Sequence, residues 1–133
     1  GKILSIDLEK IKEIKNVSFI QCDFLEKKSK EKIFDFFGGN IDLIISDMAA
    51  DTTGNKSLDC IRTNQLCSEV INFASKILKP EGVLISKLFM GEDFLGVKDL
   101  AKEKFNKVQF FKPKASRNES KETYLHCAIL KTL

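Results

Sequence analysis

The residues Ile41-Asp42-Leu43-Ile44-Ile45-Ser46 form a short apolar run rich in β-branched side chains. It breaks off at Asp47 into small and turn-forming residues, Met48-Ala49-Ala50-Asp51-Thr52-Thr53-Gly54-Asn55. This pattern reads as a strand buried on both faces that ends in a loop. A strand of that kind belongs in an α/β sheet layered with helices. Asp47 stands where the strand stops. In an open parallel sheet, ligands bind in the crevice beyond the carboxyl ends of the strands, so an acid there is a candidate site residue. It reads equally well as a carboxylate that caps its own loop.

Strand and helix patterns alternate along the rest of the chain. Gly1 to Leu8 is a strand pattern that ends in an acid at Asp7, and Leu8 to Lys15 is a polar connection with some helical character. Val17 to Cys22 is a second strand and runs into Asp23. Lys27 to Phe37 sets Ile33, Phe34 and Phe37 on one helical face, and Gly38-Gly39-Asn40 stops that helix. From Leu58 to Leu78, apolar residues recur at Cys67, Val70, Ile71, Ala74, Ile77 and Leu78, as on a helix with one buried stripe. Lys79-Pro80-Glu81-Gly82 marks its end. Val83 to Phe89 is another buried strand, unusual for carrying Lys87 near its end. Phe94 to Phe105 has the spacing of an amphipathic helix, Val108 to Phe111 of a strand, Lys112 to Lys121 of a basic polar loop, and Glu122 to Leu130 of a last strand. The order predicts a mostly parallel sheet with helices on both faces.

At 133 residues and 43% hydrophobic content, the chain has material for one domain with a core, expected to span 1–133. No apolar run is long enough to cross a bilayer and no leader pattern opens the chain, so a cytoplasmic protein without a membrane partner is expected. Cys22, Cys60, Cys67 and Cys127 form no CxxC pair, and His126 is the only histidine, which predicts reduced core cysteines and no metal site. A formal charge of +3 is compatible with a polyanionic partner without demonstrating one.

Asp7, Asp23, Asp47 and Lys87 fall at or beside strand ends, and Glu122 opens the final strand. Singly, each has a structural reading. Asp7 and Asp23 suit turn caps, Lys87 can reach water from a strand end, and Glu122 can pair with Lys121 or Arg117. Together they crowd onto one sheet edge, where a purely structural protein gains little from holding them. Tyr124, His126 and the phenylalanines Phe34, Phe36, Phe37, Phe105, Phe110 and Phe111 follow strand or helix periodicity and are assigned to packing.

Three segments resemble, in order and spacing, the FtsJ/RrmJ family of ribose 2′-O-methyltransferases. They are Ser46-Asp47-Met48-Ala49, Ser86-Lys87-Leu88-Phe89-Met90-Gly91-Glu92, and the stretch from Lys112-Pro113-Lys114 through Arg117-Asn118 to Glu122-Thr123-Tyr124. The resemblance covers essentially the whole chain and is closest to the bacterial branch acting on a uridine of large-subunit ribosomal RNA. It implies a Rossmann-like fold with an antiparallel last strand, S-adenosylmethionine as cofactor, and ribosomal RNA in the large subunit as partner of a monomeric enzyme. By the same resemblance, Asp47, Lys87 and Glu122 are three members of a Lys-Asp-Lys-Glu catalytic tetrad. Asp7 and Asp23, with Asp47, match positions that hold the cofactor. The family's glycine-rich cofactor loop and first catalytic lysine precede residue 1, so the chain is expected to be the C-terminal two-thirds of such an enzyme. The family's first strand and helix are expected to precede residue 1 as well, and without them inner strand edges at Lys2–Ile6 and Ile41–Ser46 would be unpaired.

The implied reaction is in-line attack of a ribose 2′-oxygen on a sulfonium methyl, with Lys87 at the 2′-hydroxyl. A lysine serves as a base when a neighbouring cation lowers its pKa, and adjacent carboxylates act the other way. Asp47 and Glu122 therefore orient Lys87 more plausibly than they activate it. Lys112, Lys114, Arg117 and Asn118 are the expected RNA contacts, with cations for phosphates and polar groups for the 2′-hydroxyl. Two other readings stand beside this one. The first is a non-catalytic RNA-binding or adapter remnant that kept the scaffold. The second is a dehydrogenase-type nucleotide domain, which shares Asp7 but gives Lys87 and Glu122 no task.

Overall fold

The computed structural model describes residues 1–91, 93–112 and 122–131. They form strands β1 (Leu4–Asp7), β2 (Ser18–Gln21), β3 (Ile41–Ser46), β4 (Leu78–Phe89), β5 (Phe105–Phe111) and β6 (Glu122–Leu130), with helices α1 (Lys27–Phe37), α2 (Lys56–Ile77) and α3 (Phe94–Lys104). The chain divides into two compact units, Gly1–Asn40 and Ile41–Leu133.

In the first unit β1 and β2 pair in parallel, from Leu4 opposite Ser18 to Asp7 opposite Gln21. The Cys22 N–H extends the ladder by donating to the Asp7 carbonyl at 3.0 Å. The connection from Leu8 to Lys15 contains no helix, contrary to its partial helical character. It closes instead with a turn at Asn16, whose φ of 66° is left-handed, a conformation Asn tolerates better than most residues. Helix α1 has the predicted bounds. Gly38 ends it in the left-handed conformation at φ 64°, and its N–H donates to the Phe34 carbonyl at 2.9 Å. Ile33 is buried, but Phe34, assigned to packing, is 51% exposed.

The second unit is a four-stranded sheet in the order β3-β4-β6-β5. β3 and β4 are parallel, and β6 lies antiparallel to both β4 and β5. The last strand is thus the antiparallel one, inserted between two strands that share a direction. Among the described residues β3 pairs only with β4, and β1 only with β2, so each keeps one edge without a strand partner.

Helix α2 starts at Asn55, whose side chain accepts the Leu58 N–H at 3.1 Å. It buries Cys67, Val70, Ile71, Ala74 and Ile77 along one stripe. No turn follows it. The chain passes straight into β4 at Leu78, and Lys79-Pro80-Glu81-Gly82 bulges within the strand, because pairing jumps from Ile41–Leu78 to Leu43–Val83. A Cβ on Gly82 would meet the Leu78 side chain and the Lys79 carbonyl at 3.0 Å, so the bulge is tight and glycine suits it. Likewise α3 runs directly into β5, which begins at Phe105, three residues ahead of the expected start at Val108.

Strand alternation separates two faces of this sheet. Leu84, Ser86, Leu88, Leu125 and Cys127 lie on one face, each with at most 1% of its surface exposed. Helix α2 covers this face through Cys67, which hydrogen-bonds Ser86. Helix α3 covers it too, its Phe94 ring packing 4.8 Å from Phe110. Helices on both faces were expected, but in this unit α2 and α3 share one face. Both crossovers step in the same direction across the sheet, so right-handed connections place their helices on the same side. On the opposite face Val83, Ile85, Tyr124 and His126 are half-buried and Leu43 and Ile45 are exposed.

Ile71→Ala is expected to destabilise the second unit by about 2–5 kcal/mol, as truncation of a fully buried aliphatic side chain does. Ser46 Oγ is buried with no hydrogen-bond partner among the described residues, so Ser46→Ala is expected to be neutral or stabilising by about 1 kcal/mol. Urea unfolding of the two variants measures both effects.

Candidate active site

The strand directions bring three predicted residues to one edge of the second unit. β3 and β4 run in parallel toward that edge, placing Asp47 one residue past β3 and Lys87 two residues before the end of β4. β6 starts from the same edge in the opposite direction, with Glu122 opposite Phe89 and Tyr124 opposite Lys87. Lys87 Nζ lies 3.1 Å from Asp47 Oδ1 and 3.7 Å from Glu122 Oε2. The Lys87 side chain is 14% exposed, against 67% for Asp47 and 30% for Glu122. A largely buried lysine side chain thus has its ammonium held from two sides by carboxylates that remain open to solvent.

A fourth group completes the cluster. Tyr124 Oη donates a 2.6 Å hydrogen bond to the same Asp47 Oδ1 that faces Lys87. Periodicity had assigned Tyr124 to packing, and its ring does stack on Phe111 with centroids 5.8 Å apart, but its hydroxyl belongs to the site. The signal in the sequence was its position two residues after Glu122, which puts the two side chains on one face of the same strand. Burial works against ionisation of Asp47, but the hydrogen bonds from Tyr124 and Lys87 and the Lys87 charge outweigh it. Together they hold the carboxyl below its ordinary range. The hydrogen bond to Asp47, followed by burial and the two nearby carboxylates, pushes the Tyr124 phenol up to about 12.

Asp7 and Asp23 lie in the first unit, at the carboxyl ends of neighbouring parallel strands. Asp7 Oδ1 accepts the Glu9 N–H at 3.0 Å and Asp23 Oδ1 accepts the Leu25 N–H at 2.9 Å. Each acid thus caps its own loop with one oxygen, and a carboxylate has further lone pairs to accept a ribose hydroxyl or an amino group. That donor-accepting chemistry fits a nucleoside cofactor.

Of the expected RNA contacts, Lys112 is exposed and its Nζ donates to the Glu122 carbonyl at 3.4 Å. Lys114, Arg117 and Asn118 lie outside the described residues, as does Glu92. A groove of about 560 Å³ runs beside β5, lined by Lys98, Lys102, Gln109, Phe111 and His126 among others. Buried Cys67 and Cys127 have thiols pushed up to about 11 and about 12, in each case mainly by burial. Among the described residues no group of three or more His, Cys, Asp or Glu side chains could hold a metal, and no helix is long and apolar enough to cross a membrane.

The family model described as FtsJ-like methyltransferase matches residues 1–130. The chain is 44% identical over 131 residues to a protein named ribosomal RNA large subunit methyltransferase E from Pelagibacter ubique (strain HTCC1062), covering 98% of this chain and 64% of that relative. It thus spans less than two thirds of that relative's length. Among solved structures, a ribosomal RNA methyltransferase from Plasmodium falciparum superposes with a TM-score of 0.83 at 28% identity, over 97% of this chain and 72% of that one. A Streptococcus mutans methyltransferase in complex with SAH shares the fold at a TM-score of 0.57 and 15% identity, over 97% of this chain and 72% of that one. With a mixed sheet, an antiparallel last strand and a family match over nearly its whole length, the chain belongs to the FtsJ-like methyltransferase family.

Proposed function

We propose that the protein is an S-adenosylmethionine-dependent enzyme that methylates the ribose 2′-oxygen of a uridine in large-subunit ribosomal RNA. On this reading residues 1–133 form one methyltransferase domain. The observation that carries the proposal is the Lys87 ammonium, on a largely buried side chain and paired to both Asp47 and Glu122. Lys87 Nζ, paired to both carboxylates, acts by stabilising the negative charge that develops on the 2′-oxygen as its proton passes to solvent. Asp47 and Glu122 restrain the direction of Nζ, and Tyr124 restrains Asp47 in turn. This alignment is the protein's main contribution to an in-line displacement.

S-adenosylmethionine supplies the electrophilic methyl group on a sulfonium. Asp7 and Asp23 of the first unit would hold its ribose and adenine through their free carboxylate oxygens. Large-subunit ribosomal RNA as substrate is supported by the name of the 44% identical relative and by the basic character of the segments near the site. Between Phe94 and Lys112 the chain carries five lysines against two acids. The exposed Phe111 ring, stacked on Tyr124, offers a surface for a base. Lys112, Lys114 and Arg117 contact phosphates, and Asn118 reaches the 2′-hydroxyl.

Lys87→Ala is expected to lower methyl transfer to large-subunit ribosomal RNA by roughly 100- to 1,000-fold with cofactor affinity nearly unchanged. Single-turnover transfer and calorimetric titration with S-adenosylmethionine measure the two effects. Loss of cofactor binding in parallel would make Lys87 structural, and RNA binding by a wild-type protein with no transfer would favour the adapter reading. Lys114→Ala and Arg117→Ala are each expected to reduce the slope of log affinity against log salt by about 0.7 on single-stranded RNA. An unchanged slope would assign that loop another task.

A further inference from the structure

We propose that Thr63 and Asn64, consecutive residues on α2, are positioning residues that set the spacing between Asp47 and Lys87. This inference rests on the reading of those two residues as catalytic.

β3 and β4 pair in register as far as Ser46 opposite Ser86. Beyond that point the strands part, and β4 continues for three residues, Lys87, Leu88 and Phe89, with β6 on one side only. The catalytic carboxylate and ammonium sit on the two sides of this split. A split in a sheet exposes backbone groups that must find other partners, and a chain end leaving the ladder has no intrinsic reason to stop in one place.

Two side chains of α2 fill that role. Thr63 Oγ1 accepts the N–H of Ala50, three residues past Asp47, at 3.0 Å. Asn64 Oδ1 accepts the Phe89 N–H at 2.8 Å, and Asn64 Nδ2 donates to the Phe89 carbonyl at 2.9 Å. The carboxamide thus takes the place of the peptide group that β3 no longer provides. Its second N–H goes to Asp93 Oδ1 at 2.8 Å, at the N-terminal cap of α3. Thr63 is 1% exposed and Asn64 fully buried.

These two positions belong to the stripe on which Cys67, Val70, Ile71, Ala74 and Ile77 pack. Continuing that stripe toward the helix start by steps of three and four reaches Asn64 and Thr63, where it turns from apolar to polar at the sheet edge that carries the cluster. A buried amide is tolerated there because both N–H groups and the carbonyl are satisfied. Leucine at 64 would fill similar space but leave the Phe89 N–H and carbonyl without this partner. One rigid helix therefore grips both arms of the split, and displacements on the order of 1 Å at such a site can cost about 100-fold in rate.

The test compares Thr63→Val, Thr63→Ser and Asn64→Leu with Lys87→Ala in one assay. It follows transfer of the labelled methyl of S-adenosylmethionine to large-subunit ribosomal RNA, per folded molecule as judged by urea unfolding. Thr63→Val, nearly isosteric but without the acceptor, is expected to lower kcat by about 10- to 100-fold with KM for RNA unchanged. Thr63→Ser, which keeps the hydroxyl, is expected to restore kcat. Asn64→Leu is expected to lower kcat similarly, and if it fails to fold, the threonine pair decides. Wild-type kcat in Thr63→Val, or an equal loss in Thr63→Ser, would overturn the positioning role while loss of transfer in Lys87→Ala leaves the catalytic reading standing. Wild-type transfer in Lys87→Ala would overturn both.

Discussion

A single carboxylate oxygen, Asp47 Oδ1, joins the ends of three strands. It faces Lys87 of β4 at 3.1 Å and accepts the hydroxyl of Tyr124 of β6 at 2.6 Å, while Asp47 itself extends from β3. Lys87 Nζ joins the same three ends from the other side, since it also faces Glu122 Oε2 of β6 at 3.7 Å. Two-thirds of the Asp47 side chain is open to solvent, so the ion pair is screened and adds little to stability. Its importance is geometric. It decides where the Lys87 ammonium points at the sheet edge.

The stability that permits this arrangement lies one layer away. The face beneath α2 and α3 is dry, with Leu84, Leu88 and Leu125 fully buried, and burial of that kind supplies most of the favourable energy of a small sheet. The same helix that closes this face sends Thr63 and Asn64 to the sheet edge. Packing and chemistry are thus coupled through one rigid element, and the polar cluster can stay solvated without the strands drifting apart.

Much of this was legible from periodicity. Helix α1 and strands β3 and β6 have the bounds read from hydrophobic pattern, because each is flanked by strong breakers or by an abrupt change of polarity. The boundaries at Leu78 and Phe105 were missed for a shared reason: in both places a helix passes into a strand with no intervening loop, and Pro80 and Gly82 form a bulge where they signalled a turn. Packing periodicity also hid two sets of polar contacts. Tyr124 satisfies the alternation of β6 with its ring and the site with its hydroxyl, so apolar pattern alone could not reveal the second role. Thr63 and Asn64 interrupt an apolar stripe, and their partners, Ala50 and Phe89, are brought near only by the parallel register. Asp7 and Asp23 show that a loop cap and a site candidate can be one residue, since a carboxylate has acceptors for both.

Tyr124 makes the central contact directly measurable, because it is the only tyrosine of the chain and there is no tryptophan. Near-ultraviolet titration of phenolate absorbance therefore reports on the Asp47 contact without interference. A midpoint near 12 is expected in the folded protein, against about 10 for an unperturbed tyrosine, with a return toward the ordinary value in Asp47→Ala. Because the folded value is the raised one, the stabilisation is complete below about pH 10 and is lost as pH rises through 12. Asp47 has the opposite sign: its contribution is present above the ordinary carboxyl value of about 3.9 and disappears as pH falls through the depressed folded value. A folded-state midpoint near 10 that Asp47→Ala leaves unmoved would show that the carboxylate does not hold the three strand ends together.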